Sequence, residues 1–358
     1  MIRLTDAAGR PGRALGAFYG LALGDALGMP TQSMSREAIL ADYGAITGFR
    51  DAGPRQLIAA GMPAGRVTDD TEQAVLLARI LVEGDGRFDP RTFADRLIEW
   101  EAAMRARGSL DLLGPSTSAA VRRLVAGESA RESGRFGTTN GAAMRIAPVG
   151  IAFRLSSLTG FVDRVARASE VTHNTTLGIG SAAAVGAAVS AGVAGASLAE
   201  TVRSAIDAAA EGERRGHWRA GGSIAARLRW ATGHLAGLTP AAQAGAAYEL
   251  IGTSVAAQES VVAALALAAV AQDPWETLCL AAGLGGDTDT IAAIVGAVLG
   301  SVFGLQGWPA EQVATLRSVN GLDLDDLVHG LLAVRDADEP GTDAGSPPDS
   351  PAGTTEPR

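Results

Sequence analysis

The chain has 358 residues, a net charge of −9 at pH 7 and 30 basic residues, all of which are arginine. The absence of lysine excludes pyridoxal-phosphate and other Schiff-base chemistry, and it excludes a phosphate-binding loop that depends on lysine. A single cysteine, Cys279, cannot form an internal disulfide, and the four scattered histidines lack the spacing of a zinc site.

Charge and hydropathy also limit the partners of the protein. The acidic net charge argues against a nucleic-acid surface. The apolar stretches at 178–199 and 260–272 are rich in alanine and glycine, which is typical of core helices rather than membrane spans. We therefore expect a cytoplasmic monomer with no membrane segment and no sequence-specific nucleic-acid partner.

Apolar residues recur every three or four positions along most of the chain, which predicts an all-α fold. Residues 46–49 and 65–67 are the two segments that could instead form short strands. We predict one compact domain over residues 1–335 and a disordered Pro-, Gly- and Ser-rich tail over residues 336–358, where large apolar side chains are almost absent. The predicted helices cover residues 12–28, 71–83, 89–106, 116–126, 160–170, 176–192, 197–214, 219–232, 257–271, 274–282, 289–303 and 309–318.

Two acidic motifs lie more than 200 residues apart, and each opens onto an apolar helical run. The first acidic motif is Thr68-Asp69-Asp70-Thr71, and the second is Asp287-Thr288-Asp289-Thr290. Either motif alone is typical of a helix N-cap, because Thr and Asp satisfy free N–H groups and complement the helix dipole. Two caps do not need four aspartates, however. The pair therefore favours an all-oxygen site for hard divalent cations.

Five motifs occur in the order found in ADP-ribosylglycohydrolases, and through them the chain resembles that family over about residues 12–305. The resemblance implies an all-α orthogonal helical bundle with two Mg²⁺ ions (Mn²⁺ is possible) at the base of a cleft. It also implies hydrolysis of the glycosidic bond between ADP-ribose and an acceptor. The five motifs are Gly-Leu-Ala-Leu-Gly-Asp-Ala-Leu-Gly at 20–28, the first acidic motif, Asn-Gly-Ala-Ala-Met-Arg-Ile-Ala-Pro at 140–148, Thr172-His173, and Gly285-Gly286 with the second acidic motif.

The family pattern assigns roles to individual residues of this chain. It implies that the metal ligands are Thr68, Asp69, Asp70, Asp287, Asp289 and Thr290. It further implies that the ADP-ribose diphosphate is bound by a loop and a histidine, namely Asn140, Gly141, Ala142 and His173.

Three of these residues, and also Asp25, have an alternative interpretation in which their role is structural. An Asn140-Gly141 pair can simply form a turn before a helix, and a lone histidine such as His173 is often a cap. Asp25, inside the first glycine-rich motif, is either a partner that supports the metal site or a buried carboxylate bonded to backbone. We expect structural support from Asp25.

The chain departs from the family pattern at Gln32, where many members carry a glutamate that is proposed to activate the attacking water. A glutamine can bind a cation or a water, but it cannot accept a proton near neutral pH. If the chain is a hydrolase, Asp70 or Asp289 is the candidate base, with Gln32 beside the reacting water. Two alternatives remain open: an N-ribosidase that acts on a nucleoside-like molecule, and a catalytically silent ADP-ribose-binding protein.

Overall fold

The computed structural model describes residues 9–106 and 113–338, and within them the chain is helical. A π-helical turn at Ala247–Ile251 continues α13, and a 3-10 turn at Leu305–Gly307 precedes α17. The prediction of an all-α fold is confirmed. The helices are α1 Arg10–Gly28, α2 Arg36–Tyr43, α3 Asp69–Glu83, α4 Pro90–Ala106, α5 Pro115–Val125, α6 Ala130–Ser133, α7 Gly141–Met144, α8 Ala147–Ala152, α9 Leu158–His173, α10 Thr176–Val193, α11 Leu198–Gly212, α12 Ile224–Leu235, α13 Pro240–Ala246, α14 Ala257–Ala269, α15 Pro274–Ala282, α16 Thr288–Phe303, α17 Ala310–Asn320 and α18 Asp325–Ala337.

The two short strands considered from the sequence do not form in the described residues, where pairing is limited to isolated bridges. At 65–67 a side chain takes the place of a partner strand. The amide of Asn320 donates to the Gly65 carbonyl at 2.8 Å and accepts from the Val67 N–H at 3.1 Å. The backbone groups that would have paired in a sheet are therefore satisfied by α17.

The pairing of α1 with α16 organises the core. A Cβ atom at Gly24 would lie 2.1 Å from the carbonyl oxygen of Ala292, and one at Gly28 would lie 2.4 Å from the Cα atom of Asp289. No side chain fits in such a space, so the two helices touch backbone to backbone. This close approach requires the glycine that α1 carries at every fourth position, at Gly16, Gly20, Gly24 and Gly28.

The C-terminal helix α18 extends past the predicted domain end at residue 335. Its buried Arg335 donates to the carbonyl oxygens of Gly150 and Phe153, which fixes the helix against the core. Asp336 then pairs with Arg10 at 3.0 Å. The folded domain therefore reaches at least residue 338, and the rest of the predicted disordered tail, 339–358, lies outside the described residues.

One helix of the described chain, Thr176–Val193, is long and apolar enough to cross a membrane by length and composition. Within the fold 94% of it is buried, and it packs against α9, α11 and α16. This degree of burial is typical of a helix in the core of a folded domain.

The glycine seam between α1 and α16 can be tested by substitution. We expect Gly24→Ala to lower the free energy of unfolding by about 1–3 kcal/mol or more, because the added methyl group forces two backbones apart. Gly233→Ala is the matched control. Gly233 also lies inside a helix, but no described atom other than those of its chain neighbours and its own helix backbone lies within 4 Å of a Cβ added there. Alanine there should be neutral or stabilising by up to about 1 kcal/mol. Urea unfolding of both variants measures the difference, and equal effects would contradict the close contact.

Candidate active site

Both acidic motifs open onto one cleft. The first lies at the start of α3 and the second at the start of α16, so that Asp69, Asp70, Asp287 and Asp289 line the same cavity of about 230 Å³. Thr290 lies in its wall as well. The fold therefore brings together four carboxylates that are distant in sequence.

Neither motif uses its side chains as a helix cap. Within the described residues, Thr68 and Asp287 occupy the N-cap positions of α3 and α16, but their side chains accept no capping hydrogen bond from those helices. The capping interpretation of the sequence is therefore wrong for the cap residues themselves. Their neighbours Asp70 and Asp289 each keep one buried oxygen that has no hydrogen-bond partner among the described residues.

Asp25 satisfies the start of α3 instead. Its fully buried carboxylate accepts the backbone N–H groups of Thr68 and Thr71 at 3.0–3.1 Å and both threonine hydroxyls at 2.5–2.7 Å. Burial raises the pKa of Asp25 to about 6, and these hydrogen bonds oppose the rise. Asp25 thus has the structural role expected from the sequence, and it fixes the first acidic motif to α1.

The carboxylates of the cleft are strongly destabilised as anions. Burial raises the pKa of Asp69, Asp70 and Asp289 well above the usual range, and repulsion from neighbouring carboxylates raises it further. Burial also raises the pKa of Asp287, against an opposing hydrogen bond from Asn140. Added positive charge would therefore stabilise the ionised form of this cluster.

Unsatisfied oxygens show where that charge fits. Asp70 Oδ1 and Asp289 Oδ1 are buried and accept no hydrogen bond from any residue in the described ranges. A bound divalent cation would supply a partner for such oxygens and lower the pKa values of the carboxylates that hold it. No three Asp, Glu, His or Cys side chains of the described chain are arranged around a single point as metal ligands.

Glycines position the second acidic motif. Gly285 and Gly286 have φ angles of +93° and +84°, a region that favours glycine, and a Cβ at Gly286 would lie 2.3 Å from the Thr253 carbonyl oxygen. This allows the Asp287 N–H to donate to the same Thr253 carbonyl at 2.7 Å. The loop is also bridged to Met34, which follows the Gln32 turn.

The predicted diphosphate loop lies beside the carboxylates. Asn140 donates from Nδ2 to Asp287 at 2.5 Å and to Ser260 at 2.8 Å, so its side chain ties the loop to the second acidic motif. Gly141 lines the cleft, whereas Ala142 is buried and lies outside its lining. Of these three residues, Asn140 and Gly141 line the cavity and Ala142 does not.

His173 does not reach the cleft surface. Its ring is fully buried beneath the loop, where Nδ1 lies 2.7 Å from Thr172 Oγ1 and Nε2 lies 2.9 Å from Thr139 Oγ1. Burial, and secondly the charge of Arg145, lower the pKa of His173 well below its usual value. A neutral His173 therefore supports Thr139, which does line the cleft.

Gln32 lies in the wall of the same cavity. The turn that carries it is fixed by Thr31, whose hydroxyl donates to the Ala282 carbonyl at 2.6 Å. The side chain of Gln56 donates to the Gln32 carbonyl at 2.8 Å. The departure from the family pattern thus falls inside the cleft, at a position held rigidly by its neighbours.

Two buried side chains of the site were missed by sequence reasoning. Gln73 donates to Asp69 at 2.9 Å and accepts from Arg145 at 3.0 Å, so a buried guanidinium supports the first acidic motif through an amide. The spacing of four residues between Asp69 and Gln73 on one helix could have indicated the first bond. Nothing in the sequence indicated Gln56, because its bonds depend on how two loops meet.

The chain is similar to known proteins over nearly its whole length. A family model described as ADP-ribosylglycohydrolase matches residues 6–341. The uncharacterised protein YegU of Escherichia coli K12 is 33% identical over 325 residues, which cover 90% of this chain and 97% of YegU. The ADP-ribosylarginine hydrolase Tri1 of Pseudomonas putida GB-1 is 27% identical over 306 residues, 84% of this chain and 73% of Tri1.

A solved structure described as an ADP-ribosylglycohydrolase-related protein complex has the same fold. It superposes with a TM-score of 0.67 at 25% identity, covering 92% of this chain and 99% of the other. The resemblance found in the five motifs is thereby confirmed. With the family model matching nearly the whole chain, this protein belongs to the ADP-ribosylglycohydrolase family.

Proposed function

We propose that the protein is a metal-dependent hydrolase that cleaves the glycosidic bond between ADP-ribose and an acceptor. The observation that carries this proposal is the group of four buried carboxylates, two of which have an oxygen without a partner in the described chain. Two Mg²⁺ ions, or Mn²⁺, would balance this charge. The ligands would be Thr68, Asp69, Asp70, Asp287, Asp289 and Thr290.

Bound divalent cations would supply Lewis acidity, orient the ribose hydroxyls and lower the pKa of a water. The residues of this chain complete the site. Asp25 and Gln73 hold the first acidic motif in place through the hydrogen bonds described above. Asp70 or Asp289 is the candidate acceptor for the proton of the attacking water, since both line the cleft with Gln32. The cleft buries the reacting sugar, which favours an oxocarbenium-like transition state flanked by carboxylates.

Two observations support ADP-ribose rather than a simple nucleoside as the ligand. Polar groups other than carboxylates also line the cleft, among them Thr139 and Asn140, with Gly141 beside them. The name of Tri1 states that it acts on ADP-ribosylarginine. The N-ribosidase alternative predicts that ADP-ribose does not compete with nucleoside turnover. Inhibition of such turnover by micromolar ADP-ribose would decide against it.

A catalytically silent ADP-ribose-binding protein is the second candidate, and one observation favours it. Gln32 lines the cleft with Asp70 and Asp289, so the position of the usual glutamate faces the site but offers no proton acceptor. Against it stands the destabilisation of the carboxylate cluster, which ligand binding alone would not require.

The activity itself is the first test. We expect free ADP-ribose to be released from ADP-ribosylated arginine or serine peptides with Mg²⁺ present and not after chelation. Asp289→Asn should reduce the rate by roughly 100-fold or more, since even outer partners of metal sites account for about 10- to 100-fold. Asp207→Asn, at an exposed position on α11, is the matched control. If neither peptide nor any other acceptor gives metal-dependent release, the proposal is wrong.

The carboxylate cluster also predicts how stability depends on pH. Because the pKa values of Asp69, Asp70 and Asp289 are raised on folding, the metal-free folded state binds more protons than the unfolded chain. Its free energy of unfolding should therefore fall as pH rises from about 4 through the raised pKa values.

This prediction is checked by thermal unfolding in chelator and in Mg²⁺ at about pH 5 and about pH 8. At the higher pH, Mg²⁺ at a hundredfold excess over its Kd should stabilise the protein by about 2.7 kcal/mol, with a smaller effect at the lower pH, where protons compete. Asp289→Asn should stabilise the metal-free protein and weaken the response to Mg²⁺. A metal-free protein that is more stable at the higher pH would contradict the repulsion.

Substitution at position 32 separates the hydrolase from the silent binder. We expect Gln32→Glu to increase the rate of ADP-ribose release, since general-base catalysis typically contributes about 10²- to 10⁴-fold. Gln32→Ala is the control that removes the amide without adding a base. Single-turnover release measures all three proteins. Activity in Gln32→Glu alone identifies the native chain as a binder, and rapid native turnover refutes that alternative.

A further inference from the structure

A second cavity, of about 370 Å³, lies where the end of α3, the turn after it, α8 and α9 meet, and we call it the α9 cavity. None of the residues that line it lines the cleft. Asp69, in the cleft, begins α3, whereas Leu81, in the α9 cavity, lies near the end of that helix, about 18 Å away along its axis. The α9 cavity is therefore a separate site. Its volume falls within the range of about 300–1,000 Å³ that is typical of small-molecule sites.

The interior of the α9 cavity is apolar. Its buried lining residues are at most 3% exposed, and they are Leu81, Val149, Phe153 and Ala168. The partly buried ring of Phe88 lines the cavity as well. Because none of these side chains carries a hydrogen-bonding group, a polar ligand body such as a nucleobase would lose its bonds to water without replacement. The interior therefore fits an apolar body.

The charged side chains of the lining are all arginines. Arg87, Arg164 and Arg167 line the cavity and are exposed to solvent. Arg164 pairs with Asp338 at 2.8 Å, and its Cζ atom lies 4.2 Å from the centre of the Phe153 ring. Neither Arg87 nor Arg167 forms an ion pair with a described residue. The lining thus includes two cations that have no counter-ion within the described chain.

The acidic residues around Arg167 do not neutralise the cavity. Nη2 of Arg167 donates to the Phe88 carbonyl at 3.4 Å, which holds the guanidinium beside the ring. The carboxylate of Asp89 accepts the hydroxyl and the N–H of Thr92 at 2.8 and 3.0 Å. Asp89 and Glu170 act on Arg167 only from beyond ion-pair distance, and both lie outside the lining. Positive charge over a cavity with apolar walls attracts an anion.

We propose that the α9 cavity binds a small molecule with an apolar body and one anionic head group, such as an acyl or aryl carboxylate, with the head group at Arg87 and Arg167. Burial of the body against the apolar lining favours binding. Guanidinium hydrogen bonds to the carboxylate fix its orientation. The site is independent of the proposed function, because it shares no lining residue with the cleft.

Calorimetric titration of the full chain with octanoate and with naphthoate tests this binding. Each carboxylate is compared with the uncharged alcohol of the same body, octanol or naphthylmethanol. We expect the carboxylate of at least one pair to bind roughly tenfold more tightly than its alcohol, as expected for bonds between charged groups. The carboxylate with the higher affinity identifies the body as acyl or aryl.

Substitutions separate the charge of the site from its shape. The double variant Arg87→Gln/Arg167→Gln should weaken binding of the carboxylate by roughly tenfold and leave binding of the alcohol within about twofold of the native value. Arg203→Gln, at an exposed position on α11, is the matched control and should bind both ligands as the native protein does. Ala168→Leu adds volume to the lining and should weaken both ligands by roughly tenfold or more. Thermal unfolding of each variant shows whether the fold is intact.

The outcomes decide this inference apart from the hydrolase proposal. Absence of binding by both carboxylates to the native protein overturns it, as does an equal loss of carboxylate and alcohol in the double variant. Binding that survives in a folded Ala168→Leu variant, or that ADP-ribose with Mg²⁺ displaces, places the ligand outside the α9 cavity and also overturns it. Since neither carboxylate is a substrate of the proposed reaction, a lack of hydrolase activity leaves this result unaffected.

Discussion

The direct contact between the backbones of α1 and α16 is the constraint on which the site depends. It places Gly28 against Asp289 and, one turn earlier in α1, puts Asp25 where its carboxylate binds the start of α3. Both acidic motifs are therefore positioned relative to one helix. A side chain at Gly24 or Gly28 would separate the helices and displace carboxylates whose usefulness depends on their closeness. Packing and chemistry are determined by the same four glycines of α1.

Periodicity was sufficient to predict most of the fold. The long amphipathic or alanine-rich helices, such as α10 and α16, were predicted within about two residues at their ends because a helix buries a continuous apolar stripe. Short helices such as α8 lack enough turns for a period to show. Helix α18 was not predicted at all, and Asp336 within it looks like part of a polar tail in sequence although it binds Arg10 from the opposite end of the chain.

The features of the site likewise divide into those that the sequence could predict and those that it could not. That Asp69, Asp70, Asp287 and Asp289 line one cavity could be predicted, because paired aspartates after glycine-rich loops are informative in themselves and the family order of motifs strengthened that inference. What the sequence could not supply was the connection between them. The bond of Asn140 to Asp287 and the buried position of His173 follow from tertiary contacts between distant loops. A residue type predicts what a side chain can do, but only packing determines which neighbour it meets.

The same pairing has a consequence for the order in which the protein is made. Thr288 on α16 bonds to the Gly28 carbonyl across a separation of 260 residues. The first acidic motif therefore emerges from the ribosome long before its counterpart exists, and α1 spends most of synthesis without the helix that covers its glycine face. Closing so long a loop precedes any gain from the contact, so we expect the cleft to form late in folding. Most of the residues that form the core are therefore synthesised before the second acidic motif of the site.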